Sequence, residues 1–201
     1  MRLEVPFFRQ TTPLNCGAAV LKMVLAFFGK EAEEKEIESK AGLGEGKAIY
    51  SIQLAVVASS YGFKVEFFTR HRFLNTENQK LEFYQNYSEM DVEKAKNWLK
   101  KAETAGVTVH EKTIELDKLL SLATENSVPI VLLDWNVIKE KKGYQGHFAP
   151  ITGYDEKNVF IHNSSMADGQ EYMMIPKDVF EKARKSNGTD EDLIIIYKPR
   201  P

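Results

Sequence analysis

The chain reads as an α+β protein in which an N-terminal helical part packs against a C-terminal antiparallel sheet. Three observations carry that reading. Apolar residues early in the chain recur with the 3.6-residue period of helices. From His147 onward the texture changes to short branched and aromatic runs separated by turn residues. The order, helices first and strands last, is that of segregated layers, whereas alternating elements would build a parallel sheet. With 201 residues, 43% of them hydrophobic, the chain can build one well-packed domain, and a single domain over 1–201 is expected.

Val5-Pro-Phe-Phe is an extended lead-in. Ala19, Val20, Met23, Val24, Phe27 and Phe28 then form a broad apolar stripe, which predicts a helix over 16–28. Pro13 blocks that helix upstream, Asn15 is a good N-cap type, and Gly29 suits the position after its last turn. Residues 31–40 are charged and helix-favouring and read as a solvated helix. The glycine-rich loop over 41–47 misses the phosphate-loop pattern Gly-x4-Gly-Lys-Ser/Thr: Ala41 stands at its first glycine and Ala48 follows Lys47. Nucleotide binding is therefore disfavoured.

A helix is predicted over 49–61, with Ile52, Val56 and Ser59 on one face, and a strand over 63–68. Residues 70–90 are polar and aromatic without a period. Asp91 is the cap of a helix over 91–105 whose Val92, Ala95, Trp98, Leu99 and Ala102 share a face. Residues 116–123 form a short helix and 128–134 a buried strand that Asp134 and Trp135 end. Strands follow at 147–153, 158–163 and 171–175. The first two are joined by the turn residues Tyr154-Asp-Glu-Lys-Asn158 and so are antiparallel neighbours. A helix from Pro176 and a strand over 193–197 complete the order.

A formal net charge of −2 gives no electrostatic reason to expect nucleic acid or an anionic membrane as partner. No run approaches the roughly 18 apolar residues of a membrane span, and Met1-Arg-Leu-Glu-Val-Pro leads into the fold without a signal h-region. A cytoplasmic protein is expected. The single cysteine permits no internal disulfide and no cysteine-based zinc site, so no metal and no cofactor is expected.

That cysteine is the candidate nucleophile. Cys16 falls in the first turn of the first helix, where unpaired N–H groups and the macrodipole favour a thiolate. A lone cysteine there is otherwise a small buried residue. Attack on a carbonyl also needs a base, a group that orients the base, and oxyanion donors. His147 opens its strand in Gly146-His147-Phe148 and is the candidate base. Asn163 ends the paired strand and would meet His147 across the ladder, and Gln10, six positions before Cys16, would serve an oxyanion hole. Strand alternation turns His162 to the other face. Gly146, Trp135 and Phe148 are the candidate substrate-binding residues, with Tyr144 a further aromatic near the cleft.

Gln10-x5-Cys16-Gly17-x-Ala19, Gly146-His147-Phe148 with Gly153-Tyr154-Asp155, and Val159-Phe160-Ile161-His162-Asn163 together resemble the peptidase C39-like family of papain-like cysteine peptidases. Ala18 and Asn163-Ser164 depart from the family's commoner Cys-Gly-Pro and Asp-Pro. The resemblance covers both ends of the chain and leaves residues 70–106 as an insertion. It implies a papain-like fold and cleavage of a peptide or isopeptide-like bond in a peptide or protein substrate, through a thioester on Cys16 with His147, Asn163 and Gln10 assisting. The same thioester could instead be passed to an amine or thiol by an acyltransferase. A third possibility is a peptide-binding module without turnover.

Overall fold

Eight successive buried residues, Ser127–Asp134, make β3 the strand on which the sheet is built. A strand buried on every position is covered on both faces, and β3 lies inside a sheet of seven strands among the described residues. The computed structural model describes residues 2–199. The other strands are β1 (Lys64–Thr69), β2 (Thr108–Glu111), β4 (Gly146–Tyr154), β5 (Asn158–Asn163), β6 (Gln170–Pro176) and β7 (Leu193–Tyr197), in the order β2-β1-β7-β3-β4-β5-β6. All pairings are antiparallel except that of β1 with β2.

The α+β architecture expected from the sequence is present, with one change of order. The strand at 64–69, expected over 63–68, joins the C-terminal strands in one sheet, because β7 returns to pair with both β1 and β3. The four-residue β2, half-buried and too short to show alternation, was not expected.

The α-helices among the described residues are α1 (Cys16–Phe27), α2 (Glu34–Lys40), α3 (Ser51–Ser60), α4 (Glu82–Tyr87), α5 (Val92–Thr104), α6 (Leu116–Leu120), α7 (Trp135–Ile138) and α8 (Lys177–Arg184). α1 ends as its sequence predicts. Gly29 takes φ +78°, its N–H donates to Ala26 O at 2.9 Å and the Lys30 N–H to Leu25 O at 2.9 Å, the paired bonds of a Schellman stop. Asp91 caps α5 by accepting from the Lys94 N–H at 2.7 Å. α7 was unforeseen; Asp134 ends β3 and starts this turn by accepting from the Asn136 N–H.

Three expected faces are corrected. α2 is not simply solvated, since Glu34 and Ile37 are buried. The buried face of α3 is Ser51, Leu54, Ala55 and Ala58, while Ile52, Val56 and Ser59 are half-buried; Ser59 Oγ donates to Ala105 O, so that face turns toward the end of α5. In α5, Leu99 and Ala102 are buried but Val92 is exposed.

Candidate active site

Residues 3–10 run beside the ends of β4 and β5, with the Leu3 N–H donating to Thr152 O and the Gln10 N–H to Ser164 O. The chain then turns into α1. Asn15 occupies the N-cap position, yet its side chain makes no cap. Its Oδ1 accepts from the Thr12 N–H at 3.0 Å and its Nδ2 donates to Glu34 Oε2 at 2.6 Å. The cause is Glu34, a buried carboxylate that also draws the Thr11 hydroxyl at 2.6 Å. The first N–H groups of α1 are thus left uncapped by Asn15, and those of Cys16 and Gly17 face the Cys16 sulfur.

A third N–H, that of Phe148 on β4, also points at the sulfur. α1 can come this close to β4 because position 17 is glycine: a Cβ there would overlap Ile49 and meet the Phe148 ring at 3.2 Å. The three N–H groups favour the thiolate, but burial outweighs them and raises the thiol above its ordinary value. The thiolate expected from the helix terminus is corrected accordingly. Cys16 is only 9% exposed, and removing water from a charged sulfur costs more than the helix end returns.

His147 is buried at the start of β4, its ring 4.5 Å from that of Trp135. Burial depresses its pKa to about 4. The Asn163 side chain and Asp168 pull it upward, and Lys139 pushes it down. Its Nε2 has no hydrogen-bond partner among the described residues. Thiol and imidazole at rest are therefore both neutral at pH 7.

β4 and β5 pair with Ile151 opposite Ile161. Continued by two residues on each strand, that register sets Asn163 opposite Ala149, on the face of the sheet that carries His147. Asn163 Nδ2 donates to Asp168 O at 2.9 Å, and its Oδ1 accepts from the Ser165 N–H at 3.1 Å. Gln10 is buried beside the next residue, accepting from Ser164 Oγ at 3.1 Å and donating to Thr12 O at 2.8 Å. As alternation predicts, His162 goes elsewhere: the Tyr172 N–H donates to its Nδ1, so its Nε2–H donates to Val5 O at 2.8 Å.

Cys16, Gly146, His147 and Phe148 line one cleft. Asn163, Gln10 and Trp135 stand outside its lining, the first and last against His147. The cleft extends to a second group absent from the sequence reading: Ser51, Thr69, Asp190 and Asp192, with Tyr84 and Tyr144 between the ends. The signal available for it was the run Asp190-Glu191-Asp192 set directly before an all-apolar strand.

The fold is that of papain-like peptidase domains. A double glycine motif protease from an AMS/PCAT transporter, solved with its leader peptide, superposes with a TM-score of 0.57 at 18% identity, covering 99% of this chain and 94% of that one. The peptidase domain of Streptococcus ComA gives 0.56 at 12% identity, over 98% and 100%. A C39-like peptidase from Bacillus anthracis gives 0.60 at 13%, over 98% and 96%. In sequence, residues 5–196 match the family model described as guanylylate cyclase, and the chain belongs to that family. Guanylyl cyclase 1 of Arabidopsis thaliana is 24% identical over 209 residues, covering 96% of this chain and 76% of that protein. The C39-like resemblance thus holds for the fold, while the family by sequence carries the cyclase name.

Proposed function

We propose that the chain is a thiol-dependent hydrolase of a peptide or isopeptide-like amide, with Cys16 as nucleophile and His147 as base and acid. The supporting observation is that the Cys16 sulfur lies against the β4 backbone one residue from His147 while both open on one cleft. Because both groups rest neutral, the thiol proton passes to the imidazole as sulfur attacks the carbonyl carbon. The oxyanion collapses, the C–N bond breaks, and His147 returns the proton to the leaving amine. Water, deprotonated by the same imidazole, then cleaves the thioester.

Asn163 acts on His147 by orientation, and the Gln10 amide, through its second N–H, is assigned to the oxyanion. Trp135 fixes the imidazole ring, and Gly146 and Phe148 border the scissile bond. Residues 70–106, read as an insertion in a single domain, bring Phe83 and Tyr84 to one wall of the cleft. No helix among the described residues is long and apolar enough to cross a membrane, and a cytoplasmic peptide is the substrate we favour. Transfer of the acyl group to an amine differs only in the second step, and products formed with added amine separate the two.

The family match supports a second reading, cyclisation of GTP. Cys16→Ala separates the readings. It should abolish release of amine from peptide amides, and retained hydrolysis rejects the thiol mechanism. A cyclic nucleotide product formed equally by native and Cys16→Ala protein would establish the cyclase reading in its place.

A further inference from the structure

The far end of the cleft is polar, buried and incompletely satisfied. Ser51 is 2% exposed; its hydroxyl and that of Thr69 lie close enough to the Asp192 carboxyl to favour its charge, yet neither Ser51 Oγ nor the sealed Asp192 Oδ1 completes a hydrogen bond. Ser51 and Asp192 both line the cleft. Leaving such groups unpaired is costly, and the cations nearby are engaged elsewhere. Arg70 and Arg184 both pair with Glu191, Arg72 pairs with Glu103, and His71 stands 3.9 Å from Asp190. No ion pair reaches Asp192 among the described residues.

The segment is also held against its own preference. Asp190 and Glu191 take φ +49° and +53° in succession, a conformation that L-residues avoid. The two arginines on Glu191 and the Arg70 N–H donating to Asp190 O hold it there. Asp190 is occupied by the amides of Asn75 and Asn78 at 2.9 and 2.8 Å; Asp192 is the carboxyl left over. Burial chiefly, opposed by the Ser51 and Thr69 hydroxyls and reinforced by Asp190, lifts that carboxyl to about 7, so a cation placed beside it would restore its charge.

The position of Asp192 relative to the thiol follows from the ladder. The Leu132 N–H donates to Asp192 O at 3.1 Å, and Leu132 pairs with Phe148, whose N–H faces the sulfur. Two strand spacings, about 9.5 Å, therefore separate the two ends. The wall between them carries Tyr84 and Tyr144, rings stacked 5.4 Å apart, aromatic faces that favour a passing cation.

We propose that Asp192 and Ser51 form a specificity subsite for a basic side chain, lysine or arginine, carried by the substrate residue next to the scissile bond. This assignment rests on the hydrolase reading for its register but concerns binding, so it can be tested without turnover. The probes are Ala-Ala-Lys-amide and Ala-Ala-norleucine-amide, which differ at the lysine ammonium, titrated into Cys16→Ala protein by calorimetry.

The lysine peptide should bind at least about tenfold more tightly. In Cys16→Ala carrying Asp192→Asn, the ratio should fall below about twofold. Carrying Ser51→Ala, it should fall several-fold, and that variant alone decides if Asp192→Asn lacks a cooperative thermal transition. A ratio near one in the Cys16→Ala protein, or a ratio unmoved by the folded variants, overturns the subsite. So does guanosine binding more tightly than the lysine peptide and losing that affinity with Asp192→Asn. A lysine preference in a protein that never cleaves amides would leave the subsite standing and remove the hydrolase.

Discussion

Two buried histidines stand on neighbouring strands, and the contrast between their surroundings separates structure from chemistry. His162 on β5 is fully satisfied, with Tyr172 N–H on one ring nitrogen and Val5 O on the other, and it ties the N-terminal segment to the sheet. His147 on β4 is as deeply placed but leaves Nε2 unpartnered and opens on a cleft beside a thiol. Both have depressed pKa values, from burial in each case. The shift alone therefore does not mark the functional ring; an unpaired ring nitrogen in a residue that lines a cleft beside a thiol does.

Replacing each ring sharpens this contrast. His147→Ala should lower amide hydrolysis by about a thousandfold or more while moving the thermal midpoint little. His162→Ala should do the reverse, costing about 2–4 kcal/mol in denaturant unfolding because it strands the Tyr172 N–H and the Val5 carbonyl. Rate and stability changes of the same size in both variants would erase the distinction.

Asp192 gives an effect of opposite sign. Its folded pKa near 7 lies above the ordinary 3.8, so the unfolded chain ionises first. Folding carries no penalty from this group below about pH 4 and a growing one as pH rises to 7. Asp192→Asn should therefore stabilise the protein at pH 8 by on the order of 2 kcal/mol, with the gain vanishing near pH 4. Chemical denaturation at the two pH values measures it. A smaller effect is expected at Asn163, where Asn163→Ala should reduce kcat about tenfold, since His147 keeps its packing on Trp135 and loses only its orienting amide.

What could be read beforehand follows from where each signal resides. The α1 stripe with its Gly29 stop, the all-buried β3 and the hairpin of β4 and β5 are encoded by local runs, and they carry Cys16, His147 and Asn163 to one region. Long-range partners were not legible. Glu34 is buried in a run of charges because Asn15 and Thr11, some twenty residues earlier, satisfy it. That same contact diverts Asn15 from capping. The helix terminus at Cys16 was visible in the sequence, but the desolvation that overrides it depends on β4 closing over the sulfur. Asp192 looked like an ordinary loop charge, since only the folded sheet seals one of its oxygens.

The pairing of Cys16 with His147 is tested most directly by the pH dependence of Cys16 alkylation by a peptidyl acyloxymethyl ketone, read by intact mass in native and His147→Ala protein. With the imidazole pKa near 4 and the thiol raised, the native rate should hold a plateau from about pH 5 through neutrality. The variant should fall at least about a hundredfold at pH 7 and recover only as the thiol ionises above pH 9. Superimposable profiles in the two proteins would contradict a working pair.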